Sequence, residues 1–273
     1  MLTETEFTLV AREVKARSGA VLTGEMNGPA TMRLQPMARR EGFATVSELI
    51  AAARIRPDGV LWNGIADHLA HGETRFFRDR ALFERLRAEI LPDTLARRGH
   101  ERVRIWSAAC ASGQEPYSIA MMIEEMRGQG LNPATEILAT DMSGRLIEKA
   151  RSGLYTQFEV QRGLPIRKLI AYFEKAGDLW RISDRLRAAV RFDSFNLLKH
   201  PAQFGQFDII LLCHVLGGFD PETRLAIIAR IAETMHPEGC ILLGAGETLP
   251  GGCDGLSCVG GVVTRKTGAR RAA

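Results

Sequence analysis

The stretch Trp106-Ser107-Ala108-Ala109-Cys110-Ala111-Ser112-Gly113-Gln114-Glu115-Pro116-Tyr117-Ser118 decides how this chain folds. Val103 to Trp106 reads as a buried strand, which runs into a turn of small residues and then a helix. Pro116 suits the first helical turn, where a missing N–H costs nothing. Ile119, Met122, Ile123 and Met126 then recur at i, i+3, i+4 and i+7, an apolar helical stripe. A strand, a small-residue turn and a helix N-terminus make the ligand-facing corner of a doubly wound sheet. Ala109, Ala111, Ser112 and Gly113 carry almost no side chain, so the backbone there can approach a ligand closely. Glu115, at the mouth of the turn, repels a pyrophosphate and attracts an ammonium group. That favours a ligand with an amino-acid end over a dinucleotide. Glu115 has a second reading, as an acid complementing the dipole of its own helix.

Further along, Glu136 to Asp141 is a short strand that ends on an acid, one βα unit after the turn. Asp141 stands where such folds hydrogen-bond ribose hydroxyls; alternatively it caps the helix carrying Leu146, Ile147 and Ala150. Phe192 to Leu198 ends another strand with Asn196, whose amide either reads an adenine edge or serves a turn. Taken with the first turn, these positions suit an adenosine-bearing ligand. A nicotinamide dehydrogenase is disfavoured, because the Gly-x-Gly-x-x-Gly fingerprint is absent. Phe207 to Leu212 is apolar enough to be buried on both faces. A helix from Pro221 follows, and Pro237-Glu238-Gly239 leads into a last strand, Cys240 to Leu243.

The 273 residues suit one α/β domain with a small appendage. Residues 1–60 read as an all-α domain from short amphipathic runs such as Phe7, Val10, Val14 and Val46, Leu49, Ile50. A linker is expected from Pro57 to Asn63, with the main domain over 61–265. Inside it, residues 157–193 interrupt the βα alternation, with Trp180-Arg181-Ile182 and Val190-Arg191-Phe192 as paired short strands. Residues 266–273 read as a disordered tail. Hydrophobic content of 45% and charged content of 25% are those of a soluble globular protein. No stretch has the ~20 apolar residues of a membrane span, and the first residues lack a secretory signal pattern. Five cysteines without metal-type spacing point to reduced thiols, a cytoplasmic setting and no metal site. A net charge of +4 permits docking on an acidic surface without demanding a nucleic acid. Arg97, Arg98, Arg102 and Arg104 read as a solvated cluster.

Several segments carry a resemblance. Glu73-Thr74-Arg75-Phe76-Phe77-Arg78-Asp79, the Trp106–Ser118 run, Ala139-Thr140-Asp141, Gly153-Leu154-Tyr155, Arg162-Gly163-Leu164-Pro165, Trp180-Arg181-Ile182, Asn196-Leu197-Leu198 and Gly246-Glu247-Thr248-Leu249 occur in one order. Together they resemble the CheR family of chemotaxis receptor methyltransferases, which use S-adenosylmethionine to methylate glutamate side chains of bacterial chemoreceptors. The resemblance implies a Rossmann-like, mostly parallel sheet with a small helical N-terminal domain and an antiparallel β subdomain that contacts receptors. It implies that Ala109, Glu115, Asp141, Asn196, Leu197 and His214 hold S-adenosylmethionine or its product S-adenosylhomocysteine. It makes Arg78 and Thr74 the catalytic candidates, Arg78 clamping the acceptor carboxylate in the bidentate geometry a guanidinium allows. The implied partner is a chemoreceptor cytoplasmic domain or another signalling protein, with no nucleic acid and no membrane insertion.

One segment departs from the family. After Phe207 to Leu212 the family reads Cys-Arg-Asn-Val-Leu-Ile-Tyr-Phe, whereas this chain reads Leu212-Cys213-His214-Val215-Leu216-Gly217-Gly218-Phe219. Cys213 brings no charge, and Gly218 brings no aromatic wall to the acceptor side. Two readings stand: a working glutamate O-methyltransferase, or a weak or inactive relative that binds the cofactor and acts as a sensor or interaction module.

Overall fold

The computed structural model of the chain describes residues 1–56, 59–70, 73–131 and 133–266. The chain divides into two compact units, Met1–Gly72 with Gly217–Thr223, and Glu73–Leu216 with Arg224–Ala273. Pro57 and Asp58 of the expected linker, and residues 267–273 of the expected tail, lie outside the described residues.

The first unit is helical: α1 (Glu4–Ser18), α2 (Asn27–Arg40), α3 (Val46–Ile55) and α4 (Val60–Leu69). A capping box of Thr3 and Glu6 starts α1, and Gly19 in the left-handed conformation stops it. Val60 to Asn63 are not linker but the first turn of α4. The reason is its apolar stripe: Leu61, Trp62, Ile65, Ala66 and Leu69 are all buried, against α1 and α2. The helical region therefore runs past residue 60. Residues 217–223 join this unit through the Val21 N–H, which donates to the Gly218 carbonyl at 2.8 Å, and a Lys15–Asp220 ion pair at 3.0 Å.

The second unit carries strands β1 (Val103–Ala108), β2 (Thr135–Asp141), β3 (Leu154–Thr156), β4 (Phe173–Ala176), β5 (Leu179–Ile182), β6 (Val190–Ser194), β7 (Phe207–Leu212), β8 (Met235–Leu243), β9 (Leu256–Val259) and β10 (Val262–Arg265). Its helices are α5 (Arg80–Arg85), α6 (Leu91–Arg98), α7 (Gln114–Gly128), α8 (Gly144–Ser152), α9 (Gln157–Gln161), α10 (Ile166–Tyr172), α11 (Asp184–Ala188) and, from Arg224 onward, α12 (Pro221–Glu233). Seven strands form one sheet in the order β6-β2-β1-β7-β8-β10-β9. The first five run parallel, and β10 and β9 return antiparallel. This is a doubly wound, mostly parallel sheet. From β1 the chain winds outward to β2 and β6, then returns to lay down β7 and β8. The strand order thus reverses between β1 and β7, and a ligand crevice opens at their carboxyl ends. All six residues of β7 are buried, as a central parallel strand requires.

A three-stranded antiparallel sheet, β3-β5-β4, makes the subdomain. It begins at Leu154, not at residue 157. Val190–Phe192 does not pair with Trp180–Ile182: β6 pairs parallel with β2, because Val190 and Phe192 face the main core, where both are buried. Cys240–Leu243 is not the last strand either, since the β9–β10 hairpin closes the sheet edge and places Cys258 in a strand. The arginine cluster is only partly solvated. Arg98 Nε donates to Asp208 at 2.7 Å, and Arg104 reaches Glu136 and the carbonyls of Phe204 and Gln206. Asp208 itself is buried, so these two arginines staple strand ends. No described helix is long and apolar enough to cross a membrane.

Candidate functional site

At the carboxyl ends of β1 and β7, hydrogen bonds gather the turn after β1, the end of β2, the loop after β7 and the segment Glu73–Asp79. Four non-glycine residues among those described have positive φ: Phe77 (47°), Ala109 (63°), Ala111 (48°) and His214 (57°). All four lie in these segments. Such conformations cost free energy and persist where the surroundings over-determine them.

In the turn after β1 the restraint is visible. The Cys110 N–H donates to the Thr140 carbonyl at 2.8 Å, and the Ala111 N–H donates to Asp141 Oδ2 at 2.9 Å. Asp141 Oδ1 accepts from the Ser143 N–H at 2.9 Å. The buried acid is therefore a builder of the turn as well as a candidate ribose acceptor, since each carboxylate oxygen has lone pairs to spare. Gly113 is required where it stands: at φ 92°, an added Cβ would come within 2.9 Å of Ala150 Cβ. Ser143, not Asp141, caps α8, its hydroxyl accepting from Leu146 N–H at 3.1 Å.

Glu115 sits in the first turn of α7, partly buried, with Oε1 accepting from the Ser107 hydroxyl at 2.7 Å. Burial pushes its carboxyl up to about 7, against the Ser107 and Cys213 hydrogen bonds and the Arg78 charge, which pull it down. The Cys213 thiol lies between Glu115 and the Leu242 carbonyl, 3.6 Å from the latter. Burial and the neighbouring Glu115 push this thiol up, so it is no nucleophile. His214 stands beside it. Burial first, and then the Arg78 charge, hold its imidazole below the ordinary value, so it is neutral at pH 7. Its Nε2 is buried with no hydrogen-bond partner among the described residues, and lies 3.8 Å from Asp79 Oδ2.

Arg78 is carried by a segment fixed from behind. The Phe76 ring is fully buried, edge-on to Tyr155 at 5.1 Å and Phe173 at 5.6 Å. The Phe77 N–H donates to the Ser118 hydroxyl at 3.0 Å. The Arg78 guanidinium donates to the Glu73 carbonyl. Thr74 lies partly buried in the same segment. The structure thus brings Arg78, Glu115, Cys213 and His214 together. Asn196 and Leu197 follow β6 at another point of the rim: the Asn196 side-chain oxygen accepts from Leu198 N–H at 2.9 Å, an Asx turn, and Leu197 is buried beside it. Gly218 belongs to the helical unit. Asp79 and Glu247 were not singled out from sequence. The signal available was an acid next to the expected arginine and an acid in the turn after the last parallel strand.

A corner of this kind suits a ligand with an ammonium group and a sugar. Two alanines hold left-handed backbone in a turn almost without side chains, a partly buried carboxyl lacks a cationic partner within ion-pairing distance among the described residues, and an orphaned imidazole nitrogen sits alongside. Residues 72–263 match the CheR methyltransferase S-adenosylmethionine-binding domain. The chain is 36% identical over 223 residues to the chemotaxis protein methyltransferase Cher2 of Pseudomonas putida, covering 80% of this chain and 81% of that one. It is 34% identical over 268 residues to chemotaxis protein methyltransferase 1 of Pseudomonas aeruginosa, covering 95% and 97%. A chemotaxis protein methyltransferase of Vibrio parahaemolyticus is 34% identical over 261 residues, covering 94% of each. With the family's domain spanning the crevice and every segment around it, the protein belongs to the CheR methyltransferases and takes S-adenosylmethionine as its cofactor.

Proposed function

We propose that the protein methylates the side-chain carboxylate of glutamate residues on the cytoplasmic domain of a bacterial chemoreceptor or a related signalling protein, acting in the cytoplasm. The observation that carries this reading is the placement of Arg78. Its charge is felt by both Glu115 and His214, yet it makes no ion pair with a carboxylate among the described residues and is held by the Glu73 carbonyl. A guanidinium so placed is ready to receive an incoming carboxylate in two hydrogen bonds.

Ala109 presents backbone to the cofactor, Glu115 is the partner for its ammonium, Asp141 for its ribose, Asn196 with Leu197 for its adenine, and His214 is a further contact. S-Adenosylmethionine, when bound, supplies an electrophilic methyl group on a sulfonium. An acceptor glutamate is ionised at neutral pH and requires no strong general base, which agrees with a neutral His214 and an inert Cys213. The work left to the chain is alignment: Arg78 orients the acceptor oxygen, and the buried walls of the crevice exclude water. The names of the relatives support a chemoreceptor as the source of the glutamates. The helical unit and the β3-β5-β4 subdomain are the proposed receptor-docking surfaces.

Transfer of a tritiated methyl group to receptors of the same organism tests the reading. Label released as methanol by mild alkali is the expected result, because only an ester is base-labile; label stable to alkali would overturn it. Binding of S-adenosylhomocysteine without any transfer would favour the sensor reading, which the uncharged Cys213 beside Glu115 supports.

A further inference from the structure

Two acids beside the crevice, Asp79 and Glu247, spend their oxygens on backbone amides. Glu247 Oε2 accepts from the N–H groups of His214 at 2.6 Å and Gly244 at 3.0 Å. Its Oε1 accepts from Leu216 N–H at 3.1 Å. Asp79 Oδ2 accepts from Ala245 N–H. The turn Gly244–Glu247 is itself closed by the Glu247 N–H on the Gly244 carbonyl at 3.0 Å. A single turn after β8 therefore receives the segment that carries Arg78, through Asp79, and the loop that carries His214, through Glu247.

Both tethered segments are strained, at Phe77 and at His214, and strain of this kind needs restraints that outweigh it. Three N–H donors on one carboxylate meet that need, because its two oxygens offer about four acceptor sites. The fit is tight on the other side as well: a Cβ added to Gly244 would stand 2.8 Å from the His214 ring.

We propose that Glu247 and Asp79 are positioning residues for methyl transfer, tying the Arg78 segment and the His214 loop to the one turn Gly244–Glu247. This rests on the glutamate methyl transfer proposed above. Glu247→Gln turns an amide NH2 toward one of the backbone donors and breaks the triple bond set. Asp79→Ala releases the Arg78 segment from Ala245 and leaves the Glu247 contacts intact.

Three measurements on the full chain decide it: methyl transfer to receptor, calorimetry with S-adenosylhomocysteine, and amide hydrogen exchange over residues 213–217 and 243–246. In Glu247→Gln, kcat is expected to fall about 100-fold, the scale of a small misalignment. The expected accompaniments are an S-adenosylhomocysteine affinity that falls far less than kcat, since His214 is one cofactor contact among several, and faster exchange in both segments. A kcat equal to wild type, or a loss lying wholly in cofactor affinity, would overturn the proposal. Should Glu247→Gln fail to fold, Asp79→Ala carries the test alone, with the same kcat loss expected and exchange faster at Ala245. If wild type transfers no methyl group at all, the functional reading falls separately; exchange then decides the tethers, and unchanged exchange in both variants overturns them.

Discussion

Asp141 and Ala111, thirty residues apart in the chain, are joined by a 2.9 Å hydrogen bond from the Ala111 N–H to the buried carboxylate. The acid that ends β2 thereby shapes the turn that follows β1, and holds Ala111 in a left-handed conformation that alanine otherwise avoids. Construction of the site thus falls to the side chain that is also the proposed partner for the cofactor's ribose.

Asp141→Ala leaves the amides of Ala111 and Ser143 without their acceptor. Each buried unpaired N–H costs about 1–3 kcal/mol, so thermal melts should show a clear loss of stability. S-Adenosylhomocysteine affinity should fall in the same variant, with Asp141→Asn between it and wild type. A folded Asp141→Ala that binds as tightly as wild type would remove this acid from the cofactor site.

Glu115 makes stability and binding depend on pH in opposite senses. Its folded carboxyl lies at about 7, against an ordinary 4.5. Between those values the native state keeps a proton that the unfolded chain has lost, so stability falls as pH rises through this window and levels off above it. Binding a ligand ammonium needs the ionised form, so S-adenosylhomocysteine affinity should weaken as pH drops below 7, by up to about tenfold per unit. Glu115→Gln should melt higher than wild type at pH 8, bind weakly and lose this pH dependence. Calorimetry from pH 5.5 to 8 checks both; a flat wild-type profile would contradict the assignment.

Arg78→Ala should abolish methyl transfer and leave the protein folded, since the guanidinium stands at the crevice rather than in the core. Its charge holds His214 down. Removing it should raise the imidazole pKa, which NMR titration reads directly. An unmoved His214 resonance would place the two groups further apart than the structure has them.

Gly163→Ala tests the support behind Arg78. Gly163 has φ 89°, and a Cβ there would meet the Phe76 carbonyl oxygen at 2.1 Å. Backbone strain alone costs about 1–3 kcal/mol, and the displaced Phe76 moves the segment that ends in Arg78. Methyl transfer should therefore drop by more than the unfolded fraction explains, as activity per folded molecule will show.

Restoring the family's residues should split in two. Nothing lies within 4 Å of a Cβ at Gly218, so Gly218→Tyr should melt as wild type does. Cys213→Arg sets a cation against Glu115, where it lowers the carboxyl and competes with the ligand's ammonium. S-Adenosylhomocysteine affinity should fall. Unchanged affinity would mean that the arginine turns away from Glu115.

The doubly wound sheet and the small-residue corner proposed to bind the cofactor were both legible in the sequence. Apolar β7, the small-residue turn with Glu115 and Pro116, and acids ending strands are local patterns, and local patterns follow from steric and solvation preferences of neighbouring residues. What it left open were partnerships between distant segments. Val190–Phe192 alternates as well for a hairpin as for a sheet edge, and only burial against β2 chose. Val60–Asn63 looked like linker until the stripe through Leu69 found α1 and α2 to pack on. Asp79 and Glu247 stand in segments that the resemblance covers, but their role was hidden for the same reason: an acid's value here lies in amides brought from 166 residues away for Asp79 and 33 for Glu247. Those amides become donors at the site only after β7 and β8 have paired, and that pairing is decided by the tertiary structure.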